Sequence, residues 1–126
     1  RLQLNELLTR IILPKATADL SGTYRKLRIR GSIDYPLAGV AITLKHLNGH
    51  IESGRVALTA VNPAPVLVKK ASEVLQGKRL DEELAELVGD LAAKTAKPLT
   101  TSALTPEYRR EMIRVFTKRA LLALAN

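Results

Sequence analysis

The sequence predicts an α+β domain: a small antiparallel sheet of about three strands packed against a layer of three helices. The first half alternates apolar and polar residues around one strong hairpin signal, Asn48-Gly49. The second half changes to helical spacing with capping residues. Strands followed by helices is the order of an α+β chain. The length of 126 residues suits one domain with one core, and folding at this size buries about two-thirds of the unfolded chain's surface. Hydrophobic residues make up 46% but aromatics only 3%, so the core must be built from Leu, Val, Ile and Ala.

Glu6 to Pro14 reads as a first strand ended by proline, and Lys15 to Gly22 as a loop of small and polar residues. Tyr24 to Ile29 is expected to be extended, with a turn at Gly31-Ser32. Between Ala38 and Leu47, the residues Ala38, Val40, Ile42 and Leu44 fall on one face. Asn48-Gly49 then predicts a hairpin turn. Val56, Leu58 and Ala60 face one way on the returning strand, and Asn62-Pro63-Ala64-Pro65 stops it.

Val66 to Leu75 reads as a helix capped by Gly77. Asp81 to Thr95 is a second helix, with Asp81 as N-cap and Glu82 and Glu83 where the helix dipole favours anions. Its apolar stripe is Leu84, Leu87, Val88 and Leu91. Lys97 to Ala103 is a linker. Thr105 caps a third helix with Pro106 at its first position. Ile113, Phe116, Ala120 and Leu124 line the buried face of that helix, while Arg110, Arg114 and Lys118 form a basic stripe.

Several function classes fall away. Cysteine is absent, which excludes disulfides, thiolate metal sites and a cysteine nucleophile within this chain. No apolar run reaches the ~20 residues of a membrane span, and Glu6 and Arg10 interrupt what would be a signal peptide. The pattern fits a cytoplasmic protein. There is no Gly-rich phosphate loop and no dinucleotide fingerprint. His46 and His50 flank the hairpin turn with Glu52 nearby, and read as exposed turn residues more than as metal ligands. No self-contained catalytic constellation is present, so no catalytic residue and no metal ligand is assigned. The chain lacks an initiating methionine and opens directly in an expected strand, which points to a piece of a longer protein.

The formal net charge is +8. Its densest part is Tyr24 to Asp34, where Arg25, Lys26, Arg28 and Arg30 precede a single carboxylate. Such a run suits an anionic counterpart, either a phosphate-bearing ligand or an acidic partner. Nucleic acid is a competing reading carried by charge alone, because only Tyr24 and Tyr35 flank the run and no ribonucleoprotein motif appears.

Four segments together resemble one known family. They are Glu6-Leu7-Leu8 through Ile12-Leu13-Pro14; Tyr24, Lys26, Arg30 and Asp34 followed by Ala38 to Ala41; Arg55-Val56-Ala57 with Val61 to Pro65 and Glu73 to Gly77; and Tyr108-Arg109-Arg110 with Arg119-Ala120-Leu121. Their order and spacing resemble the C-terminal domain of the FAD-binding (medium) subunit of molybdenum hydroxylases, the family of aerobic carbon monoxide dehydrogenase and xanthine dehydrogenase. Thr101 and Ala103 depart from it, since the family often carries Asp and Arg there.

The resemblance implies electron transfer from iron–sulfur clusters through FAD to an external acceptor. It divides the chain into residues 1–14, a strand linking to an N-terminal flavin-binding domain, and residues 15–126, the C-terminal domain proper. It implies three partners: that flavin-binding domain, a molybdopterin-containing large subunit and an iron–sulfur small subunit. Lys26 matches the family lysine beside the flavin ring, where a cation stabilises reduced flavin. Tyr24, Arg30, Asp34, Tyr108 and Arg109 are expected to organise the site or its interfaces. FAD is expected in the full-length subunit, with weak or no binding by this chain alone. The run from Leu7 to Leu13, cut loose as a strand edge, is expected to favour self-association.

Overall fold

The Asn48-Gly49 turn organises the sheet. Asn48 and Gly49 take φ of 51° and 78°, the double left-handed conformation that matches the twist of a two-residue hairpin. It joins β2 (Ala38–Leu47) to β3 (His50–Thr59), which pair antiparallel with a register shift between Lys45 and His46. β1 (Ser21–Leu27) pairs with the other side of β2, and β4 (Val66–Leu67) with β3, giving a meander in the order β1-β2-β3-β4. The computed structural model describes residues 2–31, 33–100 and 103–125.

The helices are α1 (Lys69–Leu75), α2 (Glu82–Thr95) and α3 (Pro106–Leu122). Asp81 caps α2 by accepting from the Leu84 amide at 2.8 Å. Thr105 caps α3 by accepting from the Tyr108 amide at 3.2 Å. Each cap satisfies an amide that the helix itself leaves without a partner. Gly77, at φ 73°, turns the chain after α1, and its amide donates to the Ile51 carbonyl, tying this turn to β3.

All three helices lie against one face of the sheet. Val40, Ile42, Leu44, Val56 and Leu58 project from that face and are fully or almost fully buried. They meet Ala71 and Leu75 of α1, Ala85, Val88 and Ala92 of α2, and Ile113, Ala120 and Leu121 of α3 in one cluster. Burying each large aliphatic side chain contributes about 1.5–3 kcal/mol. Small residues let the helices close in: a Cβ on Gly89 of α2 would lie 3.0 Å from the Arg114 carbonyl oxygen of α3.

The fold is the expected α+β arrangement with four strands rather than about three, and several boundaries move. Glu6 to Pro14 forms no strand, and Leu7, Leu8, Ile11, Ile12 and Leu13 are all exposed. The run Leu7 to Leu13 has apolar residues on both faces of any strand it could form, and nothing among the described residues covers both. The first ordered strand runs over Ser21–Leu27, not Tyr24 to Ile29, and the turn expected at Gly31-Ser32 falls partly on Ser32, outside the described residues. Val66 and Leu67 pair as a strand instead of starting the helix. The β-branched residue after Pro65 sits opposite Leu58, and the Val68 amide continues the ladder to the Val56 carbonyl. Ala60 lies past the end of β3 with φ 65°. On α2, Leu87 is exposed, and Ala85 and Ala92 take its place in the buried stripe.

Candidate functional site

The helices cover one sheet face and leave the other open. By strand alternation and register, the open face carries Gly22, Tyr24 and Lys26 from β1 and Gly39, Ala41 and Thr43 from β2. β3 adds Arg55, Ala57 and Thr59. Its floor is therefore mostly glycine, alanine and threonine, with cations and one aromatic ring standing above it. A depression of about 650 Å³ lies over this floor, lined by Leu20, Ala41, Thr43, Arg55, Ala57 and Gln76 among others.

Tyr24 is the fixed point of this face. Its ring crosses Gly39, where a Cβ would come 2.7 Å from the phenolic oxygen. The Tyr24 hydroxyl lies 3.4 Å from Thr59 Oγ1. One side chain thus spans β1, β2 and β3, and it needs glycine beneath it. Lys26, directly opposite Gly39 in the register, is exposed on the same face. Neither Lys26 nor Arg55 forms an ion pair among the described residues. Arg55 is a further residue of this face that no sequence motif marks as a site residue; its register partner Thr43, on the same strand as Gly39 and Ala41, is the signal that places it there.

Arg30 and Asp34 form a separate structure after β1. Asp34 Oδ2 accepts from the amides of Ile29 at 3.1 Å and Arg30 at 2.9 Å, and Oδ1 accepts from Tyr35 at 3.0 Å. The Arg30 guanidinium approaches Oδ1 at 3.4 Å. The Arg30 amide, more than the guanidinium, holds the Asp34 carboxyl below the usual carboxylate range. The pair folds this loop upon itself.

Tyr108 is half exposed at the start of α3, away from Tyr24 in the chain and joined to no other predicted site residue. Arg109 is 4% exposed and hydrogen-bonds three backbone carbonyls: Leu37 through Nε at 2.7 Å, Leu99 through Nη1 at 2.8 Å and Ala60 through Nη2 at 2.6 Å. Leu37 in turn donates its amide to Leu27, the last residue of β1. Arg109 therefore anchors the end of the strand that carries Tyr24 and Lys26. The structure brings Tyr24 and Lys26 onto one face and links Arg109 to their strand, but it leaves Arg30, Asp34 and Tyr108 off that face.

The basic stripe of α3 is consumed internally. Arg114 meets Glu86 at 2.5 Å and Glu111 at 2.6 Å, and Lys118 meets Glu86 at 2.6 Å and Glu82 at 3.0 Å. Arg110 donates to the Ala96 carbonyl. No group of three His, Cys, Asp or Glu side chains able to hold a metal occurs among the described residues. No described helix is long and apolar enough to cross a membrane.

The order of these elements, with Tyr24 and Lys26 on the first strand and Arg109 on the closing helix, coincides with a known domain. Residues 22–124 match the CO dehydrogenase flavoprotein C-terminal domain. The chain belongs to this family. The carbon monoxide dehydrogenase medium chain of Afipia carboxidovorans is 31% identical over 116 residues, covering 92% of this chain and 40% of the relative. The glyceraldehyde dehydrogenase medium chain of Sulfolobus acidocaldarius is 28% identical over 120 residues, covering 95% and 42%. Among solved structures, carbon monoxide dehydrogenase from Hydrogenophaga pseudoflava superposes with a TM-score of 0.78 at 28% identity, covering 84% of this chain and 37% of that one. Quinoline 2-oxidoreductase from Pseudomonas putida 86 gives 0.79 at 26% identity, with 84% and 37% covered. The chain thus spans about two-fifths of the length of the relatives it matches.

Proposed function

We propose that this chain is the part of a molybdenum hydroxylase-type oxidoreductase that closes the flavin site of the FAD-containing subunit, and that it is not catalytic alone. The observation that carries this reading is the open sheet face, where Tyr24 and Lys26 stand over a floor of Gly22, Gly39, Ala41 and Ala57. A floor without bulky side chains admits a flat ring system or a closely packed domain. The residues fit the ring end of FAD and not its pyrophosphate, because no Gly-rich phosphate loop is present. FAD would therefore be held mainly by an N-terminal flavin-binding domain, which residues 1–14 would join to this one.

FAD, when bound, would carry electrons from iron–sulfur clusters to an external acceptor. The task of this chain is electrostatic and positional. The Lys26 ammonium puts positive charge at the open face, which favours a reduced, anionic neighbour. Tyr24 sets the height of that face, and Arg109 holds the end of β1 in register. A molybdopterin-containing large subunit and an iron–sulfur small subunit are the further partners of this reading, in the cytoplasm. The competing nucleic-acid reading loses its helical basic face, since Arg114 and Lys118 are paired with the acids of α2 and α3.

The test is Lys26→Ala in the full-length subunit. Spectroelectrochemistry should show a lower flavin potential, or stopped-flow kinetics a slower flavin reduction, with circular dichroism unchanged. A flavin indistinguishable from wild type would reduce Lys26 to a surface cation. The isolated chain, titrated with FAD, should bind weakly and lose that binding as salt is added.

A further inference from the structure

We propose that the free edge of β1 docks an acidic, extended segment of a partner protein, which joins the sheet as an additional strand. The inference does not rest on the flavin reading. It starts from how the cations behind the net charge of +8 are distributed. Arg114 and Lys118 are matched by Glu82, Glu86 and Glu111, Lys45 by Glu52, and Arg109 is spent on backbone carbonyls. Cations elsewhere, among them Lys69, Lys70, Lys78 and Arg79, also form no ion pair among the described residues, but at β1 three such cations fall within four residues along one sheet edge. Arg25, Lys26 and Arg28 form no ion pair among the described residues and are exposed. Asp34, the acid that closes this run, is committed to the amides of Ile29, Arg30 and Tyr35.

β1 also ends the sheet. It pairs with β2 on one side, and no strand pairs with its other side among the described residues. An edge strand presents unpaired amides and carbonyls, and cations on it repel a like-charged copy of the same edge. The charges therefore select against β1–β1 pairing and in favour of an acidic strand. Their placement argues for a strand rather than a broad surface. Lys26 lies on the open face with Tyr24, whereas Arg25 lies on the helix side with Leu27, and Arg28 continues the run. Cations thus flank the edge on both faces. A segment laid along the edge, with acids alternating to both sides, meets them all; a duplex or a flat anionic surface engages one face. Main-chain pairing would supply affinity and the charges would supply choice of partner.

The probe is an eight-residue peptide of the repeat Glu-Glu-Val-Val, which places acids on both faces of a strand, titrated into the isotope-labelled chain. Binding is expected with a Kd on the order of 10 μM, with amide shifts confined to β1 and its flanks and new exchange protection there. The double substitution Arg25→Glu and Arg28→Glu should weaken binding by about tenfold or more, with Arg25→Gln and Arg28→Gln intermediate and circular dichroism unchanged. A peptide of equal charge interrupted by prolines should bind far more weakly, because it cannot complete the ladder. Equal binding of the proline peptide, tighter binding of a single-stranded oligonucleotide, or no binding at low salt would each overturn the proposal.

Discussion

Arg109, near the start of α3, donates to the carbonyl of Ala60, the residue whose φ of 65° turns the chain out of β3. Its other donors hold Leu37 and Leu99, so three loops from distant parts of the sequence meet on one guanidinium. Replacing Arg109 by Met should lower the unfolding free energy by about 3 kcal/mol, because buried carbonyls lose their partners. Arg109→Lys keeps the charge but lacks the planar fork, and should recover only part of that loss. Urea denaturation of the two variants checks this. Equal, negligible effects would mean that water replaces the guanidinium freely.

Ala60 offers the complementary test. A left-handed alanine costs roughly 1–2 kcal/mol in a conformation that glycine adopts without penalty. Ala60→Gly also makes the unfolded chain more flexible, which offsets about 0.4–1 kcal/mol. The net expectation is neutral to stabilising, by up to about 1.5 kcal/mol. A clear destabilisation in the same urea assay would show that the Ala60 methyl group packs in a way that outweighs backbone strain.

What the sequence showed and what it hid follow one division. The Asn48-Gly49 turn, the Asp81 and Thr105 caps and the alternation of β2 are local, because their partners lie a few residues away, and all were legible. Arg109 bonds to Leu37, 72 positions away, and no local pattern announces that. Family resemblance points to Arg109 but not to its partners. The basic stripe on α3 was visible, but its neutralisation by Glu82 and Glu86 depends on how α2 packs across it. Leu87 illustrates the limit of periodicity: it fits the apolar stripe yet faces solvent, while the smaller Ala85 and Ala92 sit where the helices approach closely. Lys26 and Tyr24 could be placed on one face from their spacing alone, but the glycine floor beneath them required the register.

Gly39→Ala tests that floor. The new methyl would run into the Tyr24 hydroxyl and Thr59 Oγ1. Both groups can rotate away, so the stability loss should stay near 1 kcal/mol, at the low end for overpacking. The Tyr24 ring, however, must leave its place across the sheet. Its proton resonances should lose their contacts with Thr59, and in the full-length subunit the flavin spectrum should shift. Retention of the Tyr24–Thr59 contacts in the variant would show that the backbone yields instead.

The ion pairs between α2 and α3 predict a stability that depends on pH. Lys118 holds Glu86 below the ordinary carboxylate value of 4.5, and Arg114 does the same for Glu111. Folded carboxyls with depressed pKa contribute fully above the unfolded value, and the contribution is lost as pH falls through the folded value. Stability should therefore hold from neutral pH down to about 5 and fall below that. Lys118 is raised above 10.5, chiefly by Glu86, so its share persists below that pH and disappears as pH rises through the raised value. Glu86→Gln should flatten the acid side of the curve, and added salt should do so more weakly because these side chains are partly exposed. An unchanged acid slope in Glu86→Gln would assign it to other carboxylates, with Asp34 the next candidate.

Removal of residues 1–13 should leave the fold intact and abolish self-association. Leu2, Leu4, Leu7, Leu8, Ile11, Ile12 and Leu13 are each more than half exposed, whereas the buried core begins at Ala38. The truncated chain should unfold at the same denaturant concentration as the intact one, since no core contact is lost. Association is another matter. Seven large aliphatic side chains in one short segment form the kind of exposed apolar surface that seeks a partner, at about 1.5–3 kcal/mol for each side chain fully covered. The net charge of +8 opposes approach of two copies at low salt, so association should strengthen as salt is added. The deletion removes Arg1, Arg10 and Glu6, which leaves that repulsion nearly unchanged. Any difference between the two chains therefore reports the apolar segment and not charge. Light scattering across concentration and ionic strength should show growing mass for the intact chain and a monomer for the truncated one. If both stay monomeric, the segment finds cover within its own chain; if both associate, the adhesive surface lies elsewhere, with the open sheet face the first place to look.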